Sequence, residues 1–144
     1  MTSEAPVKYG PLTVKWNGLR EIDEAFKRLP MEFNRRAVLV GLTYGAQTYR
    51  DGMSRRAPER TGALKAGIGY KVTVKVDGQN VAKIGPQAMV FYGSFVELGT
   101  RKMKAKPFMR PTMYEDGEQA ISAFVHGVRS VFESLLPRSM RHRV

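Results

Sequence analysis

Between Ile68 and Val76 the chain alternates strictly. Ile68, Tyr70, Val72, Val74 and Val76 interleave with Gly69, Lys71, Thr73 and Lys75. A two-residue period of this kind describes an extended strand with one apolar and one cationic face. Asp77-Gly78, lengthened by Gln79 and Asn80, is a turn signal, and a shorter apolar run over 81–84 ends at Gly85-Pro86. The segment predicts an antiparallel hairpin. Ile68, Val72 and Val76 face a core and Lys71 and Lys75 face away, because a one-residue slip would exchange the two faces. The other long segments carry a helical period. The expected class is therefore α+β: a small antiparallel sheet with helices packed on one face, including a long second helix and a long C-terminal helix.

Residues 12–16 alternate Leu, Val and Trp with Thr and Lys and suit a short strand. Behind Asn17 as a candidate N-cap, Leu19, Ile22, Phe26 and Leu29 share one helical face. Pro30 ends this helix or starts the next. A longer helix is expected over 31–56, with Val38, Leu42, Ala46, Tyr49, Met53 and Ala57 as its stripe. Gly41, Gly45 and Gly52 weaken it relative to alanine. Close approach of another backbone is one use for them, and simple tolerance in a buried helix is the reading preferred from sequence. Arg35, Arg36, Arg50, Arg55 and Arg56 lie off the stripe and are expected to face solvent or a partner. Ala57-Pro58 stops the helix. A loop over 58–62 follows, with Thr61 a candidate cap for one turn through Ala63 and Leu64. The last helix is expected over 112–136. Its apolar stripe would be Ile121, Phe124, Val125, Val128, Phe132 and Leu135, with Glu115, Asp116 and Glu118 near its N-terminal end. The domain reading is an arm over 1–10, one domain over 11–136 and a basic tail over 137–144.

Between hairpin and last helix lies the densest stretch, residues 92–111. An apolar run, 92–98, carries one carboxylate, Glu97. Its aromatic content fits a strand, while Phe95 and Leu98 also fit one helical turn, and sequence alone leaves both open. The hairpin's third strand is accordingly either 12–16 or this run. Gly99 permits a sharp turn. Thr100 and a cation-only segment follow, with Arg101, Lys102, Lys104, Lys106 and Arg110 and no acid. Pro107 and Pro111 bracket Phe108, and Pro111 suits the first turn of a helix. Phe108 either anchors in a neighbour's pocket or packs beneath its own domain. Glu97 must be paired if it is buried. An intrachain ion pair is the simpler reading, and an intersubunit pair is the alternative. The segment 101–106 is expected to be poorly ordered, or ordered only by a neighbouring chain.

The formal net charge of +11 favours polyanions or an acidic protein face as partners. Cysteine is absent, which removes disulfides, thiolate catalysis and thiolate metal sites. No apolar run reaches the length of a membrane span. Residues 1–10 have neither the basic start nor the apolar centre of a signal peptide. His126 and His142 are the only histidines and do not form a metal-binding pair. Gly67-Ile68-Gly69 precedes a strand rather than a helix, the wrong order for a nucleotide loop. The carboxylates are scattered, whereas metal-assisted phosphodiester cleavage needs several that converge. The expectation is a protein without catalytic, cofactor or metal residues.

Two elements carry a resemblance. One is Phe95-Val96-Glu97-Leu98-Gly99-Thr100, a basic spacer, then Pro107-Phe108-Met109-Arg110-Pro111. The other is Ala57-Pro58-Glu59-Arg60-Thr61-Gly62-Ala63-Leu64. In this order, with a strand pair between them, they resemble the small head–tail joining proteins of long-tailed bacteriophages, also described as tail-component, tail-completion or neck proteins. The resemblance spans roughly residues 18–136. It implies a structural virion protein, made in the bacterial cytoplasm, that needs no cofactor. It further implies a homo-oligomeric ring, six-fold in expectation and twelve-fold as the alternative, joining the tail tube to the head-closure or connector proteins. DNA would pass through its lumen without sequence recognition, and no membrane is involved. Candidate interface residues are Glu97, Gly99, Thr100, Arg101, Lys102, Lys104, Lys106, Pro107, Phe108, Arg110 and Pro111. Pro58, Thr61, Gly62 and Leu64 form the accompanying loop motif. A non-specific nucleic-acid-binding protein is the alternative function.

Overall fold

A computed structural model describes residues 12–13, 31–74 and 80–135. In chain order these form strand β1 (Leu12–Thr13), helix α1 (Met31–Arg56), a single helical turn α2 (Ala63–Ala66), strand β2 (Ile68–Thr73) and strand β3 (Val81–Pro86). A 3-10 turn (Ala88–Val90), helix α3 (Gly93–Leu98), helix α4 (Met109–Glu115) and helix α5 (Gly117–Leu135) complete them. The class is α+β. The expected arm, the helix over 19–29, the Asp77-Gly78 turn and the basic tail lie outside the described residues.

The sheet has the order β1-β3-β2 with both pairings antiparallel. Tyr70 opposes Ile84, Lys71 opposes Lys83 and Val72 opposes Ala82. Ile68, Ala82 and Ile84 are buried and Lys71 and Lys83 exposed, so the hairpin takes the expected register. Val72 is only half-buried. β2 ends at Thr73, before Val74, and Lys75 and Val76 lie outside the described residues. β3 runs two residues further than expected, with Gly85 opposite Gly69 and Pro86 opposite Ile68. Proline fits there on the β2 side, because the ladder bond next to the Ile68–Pro86 pair is donated by Gln87 N–H to Gly67 O at 2.8 Å and not by residue 86.

Helix α1 lies between the sheet and α5. Ala46, Tyr49 and Met53 pack with Ile68 and Ile84 in the main core, while Ala37 and Val131 form a second cluster. Helices α1 and α5 run antiparallel: Phe33 meets Phe132 edge to face, Ala37 meets Val131 and Gly41 meets Gly127. At the crossing a Cβ on Gly127 would stand 3.0 Å from the Gly41 Cα and 3.0 Å from the Val40 carbonyl oxygen. A Cβ on Gly41 would press the Phe124 ring at 2.9 Å. Gly41 is thus required by close packing rather than merely tolerated. Gly52 serves the same end, because its missing Cβ leaves room for the Asp116 carboxylate.

Two expectations for the C-terminal helix need correction. It begins at Met109 and is interrupted at Asp116, giving two helices where one was expected over 112–136. Its inward face is Ala120, Phe124, Gly127 and Val131, whereas Ile121, Val125 and Phe132 are exposed. The reason lies at the crossing: Gly127 must face Gly41, which keeps Phe124 of the expected stripe inward and turns Ile121 and Val125 outward. Arg56 also departs from expectation. It leaves solvent to bind Asp116 with both terminal nitrogens, at 2.8 and 2.9 Å, and Glu115 at 2.6 Å.

The crossing generates a prediction. Gly127→Ala should destabilise the protein by about 1–3 kcal/mol through overpacking, despite alanine's better helix propensity. Gly117→Ala, whose added Cβ would meet only the Tyr49 hydroxyl at 3.7 Å, should be neutral or stabilising. Urea denaturation midpoints of the two variants check this, and equal midpoints would contradict the close crossing.

Candidate functional site: a capped loop and an apolar ridge

The run over 92–98, open between helix and strand from sequence, is helical. Tyr92 O accepts from the N–H groups of Phe95 (3.0 Å) and Val96 (3.1 Å), and Gly99 N–H donates to Phe95 O at 2.8 Å. Glycine at 93 lets the helix pack closely, since a Cβ there would lie 2.5 Å from Pro86 Cγ and 3.1 Å from Leu64 Cδ1. Helix α3 therefore sits directly on the end of the sheet. Its faces are inverted relative to an ordinary amphipathic helix. Gly93 and Glu97, four residues apart, point inward and are buried, while Phe95 and Leu98 point outward.

Glu97 is 3% exposed. Oε2 accepts from the N–H groups of Phe108 (2.6 Å) and Met109 (2.9 Å), and Oε1 from the N–H (3.1 Å) and Nε (3.2 Å) of Arg110. The first N–H groups of a helix have no partner within it. Here a carboxylate from eleven residues upstream supplies one for α4, with favourable charge at the positive end of the helix dipole. Burial pushes the Glu97 carboxyl up, but the three backbone donors and Arg110 outweigh it and hold it below the ordinary value. The pair is intrachain, as the simpler sequence reading held.

This clamp closes the intervening loop. Gly99 adopts φ +77°, the left-handed region, and a Cβ there would meet the Ala105 nitrogen at 2.8 Å. Thr100 N–H donates to Met103 O at 2.8 Å, Met103 N–H returns a bond at 3.2 Å, and Lys106 N–H reaches Val96 O at 2.8 Å. The backbone over 101–106 is thus ordered within its own chain, contrary to the expectation that order would need a neighbour. The side chains of Arg101, Lys102, Lys104, Lys106 and Pro107 are all exposed. Of the two readings open for Phe108, the structure takes packing beneath its own domain, which removes it from the interface candidates. At 0% exposure it is a core residue, not an anchor for a neighbour's pocket, because its N–H is held inside by Glu97. Pro111 lies in the first turn of α4, as expected.

The upstream motif meets this one in space. Leu64 is buried against Gly93, and Val90 fills the place a Cβ on Gly67 would take. Gly62 has φ +75° and opens α2. Thr61 Oγ1 accepts from Ala63 N–H at 3.4 Å, so it caps from one position earlier than the N-cap itself. Pro58 is half-buried at the end of α1. Of these residues Leu64 positions α3 through its contact with Gly93, while Thr61 is exposed. At the far end of α4, Asp116 is held low by its bonds to Arg56, against burial that pushes it up.

Sequence reasoning missed the residues that do offer a surface. Met89 (90% exposed), Phe91 (71%), Phe95 (52%) and Leu98 (50%) form an apolar ridge beside the basic loop. The spacing of Phe91, Phe95 and Leu98 is a helical stripe, which becomes visible once Gly93 and Glu97 are recognised as the inward pair.

Both Glu97 and Asp116 titrate lower in the folded chain, so the unfolded chain takes up protons first as pH falls. Their stabilisation is complete above the ordinary carboxylate range of about pH 4–5 and is lost on descent through the lower folded values. Glu97→Gln should cost about 1–3 kcal/mol at neutral pH and flatten part of the acid slope. Urea midpoints measured from neutral to acid pH check it, and an unchanged slope in the variant would contradict the clamp.

A family described as "Bacteriophage HK97-gp10, putative tail-component" matches residues 20–99. The match takes in Pro58, Thr61, Gly62 and Leu64, and it reaches Glu97 and Gly99. No curated protein and no solved structure matches the chain. With more than half of its length matched, and with both motifs placed around α3, the chain belongs to the HK97-gp10-like family of bacteriophage tail components.

Proposed function

We propose that this chain is a structural subunit of the phage head–tail junction, a tail-completion, terminator or neck ring. Copies of it would form a homo-oligomeric ring, six-fold in the first instance, that joins tail tube to connector and lets DNA pass. The observation that carries this reading is the inverted helix α3. A buried carboxylate and a packed glycine hold it rigid, and it displays Phe91, Phe95 and Leu98 to solvent. Exposed aromatic residues on a rigid, cation-flanked platform suit a permanent neighbour better than isolated life in water. The two acids buried among the described residues, Glu97 and Asp116, are engaged in structural pairs, and the reading includes no catalysis.

Lys71 and Lys83 favour a second reading. They oppose each other across the sheet and are both exposed, a like-charge pair that a polyanion would relieve. In the ring this charge would meet DNA without reading it. In the alternative, DNA binding would be the whole function.

Native mass measurement and negative-stain imaging of the purified protein test the proposal. A discrete species near six monomer masses with a central hole is expected, together with duplex binding that is equal across sequences and collapses with added salt. A protein that stays monomeric at every concentration while binding one duplex tightly at moderate salt would overturn it.

A further inference from the structure

We infer that the ridge of one copy docks on the outer face of α4 and α5 of the next, in a head-to-tail contact. This inference rests on the ring reading above. The ridge is apolar, and its flank carries Arg101, Lys102, Lys104 and Lys106, all exposed and without an acid among them. A two-fold contact centred on the ridge would place ridge on ridge and bring one cationic loop against another. Like charges so placed oppose association, so the ridge meets a different surface.

That surface needs exposed apolar residues with a free acid. Most exposed acids on the described chain are already used: Asp51 by Arg50, Glu59 by Lys65 and Glu115 by Arg56. Glu118 has no ion pair among the described residues, and it is exposed in the first turn of α5. Ile121 lies three residues after it and Val125 seven after, which places these three along one stripe of α5, while Tyr114 belongs to α4, before the break at Asp116. Tyr114, Ile121 and Val125 are each exposed. The rotation of α5 forced by the Gly41–Gly127 crossing is what turns Ile121 and Val125 outward. Both surfaces are thus products of the fold, one cation-flanked and one carrying an acid. A contact between unlike surfaces repeats from copy to copy and closes into a ring when the rotation allows.

The test uses the full chain in two forms. One carries Phe91→Asp and Phe95→Asp on the ridge, the other Ile121→Asp and Val125→Asp on α5. All four positions are exposed, and circular dichroism confirms that each form stays folded. By sedimentation, each form alone should be monomeric under conditions in which the unaltered chain assembles. Mixed in equal amounts, they should give a species of twice the monomer mass that grows no further, because each retains one intact surface. If the unaltered chain assembles and the α5 form still does so alone, or the mixture stays monomeric, the head-to-tail assignment falls and the ring reading stands. If the unaltered chain never assembles, both fall.

Discussion

A single buried carboxylate organises the part of this molecule that meets its surroundings. Glu97 collects the first N–H groups of α4 and the Arg110 side chain, and so ties residue 97 to residues 108–110. An isolated charge at this depth would be costly, and four donors at hydrogen-bond distance offset that cost. Because both ends of the intervening loop are fixed, the chain must turn at Gly99 and return through the short bridge between Thr100 and Met103. Phe108 is drawn into the core by the same contact. The cations are left outside, on a loop whose backbone has little freedom.

The other end of α4 is held by opposite charge. Arg56, at the end of α1, grips Asp116 with two nitrogens and also reaches Thr112 Oγ1 at 3.3 Å. The absent side chain of Gly52 admits this carboxylate against α1. A seven-residue helix has little stability of its own, and α4 persists because each end is bonded to another element. Through α4, the ridge on α3 and the outer face of α5 are joined in one rigid frame. Such a frame reduces the ordering cost of assembly, since the docking residues need not be immobilised on contact.

The hairpin and the long second helix were legible because their apolar residues carry the period. Ile68 and Ile84 point inward as the alternation requires, and α1 ends at the Ala57-Pro58 boundary. What sequence hid has one physical cause: the decisive inward residues are small or charged. Gly93 and Glu97 mark the buried face of α3, and on α5 Ala120 and Gly127 share the inward face with Phe124, so a search for large apolar residues finds Phe124 but also selects Ile121 and Val125, which point outward. The same logic left Phe108 undecided, because its neighbours in sequence are cations and prolines while its backbone N–H belongs to Glu97. The break at Asp116 was hidden because an acid near a helix start is explained equally well by the dipole. Only the distance to Arg56 distinguishes the two.

The claim on which the rest stands is that Glu97 clamps the loop to α4. Amide hydrogen exchange at Phe108, Met109 and Arg110 measures it directly. The account predicts that these three amides exchange far more slowly than those at Arg101 and Lys102, and that Glu97→Ala removes their protection while the β2 and β3 amides keep theirs. Fast exchange at 108–110 in the unaltered protein, or protection that survives Glu97→Ala, would contradict it.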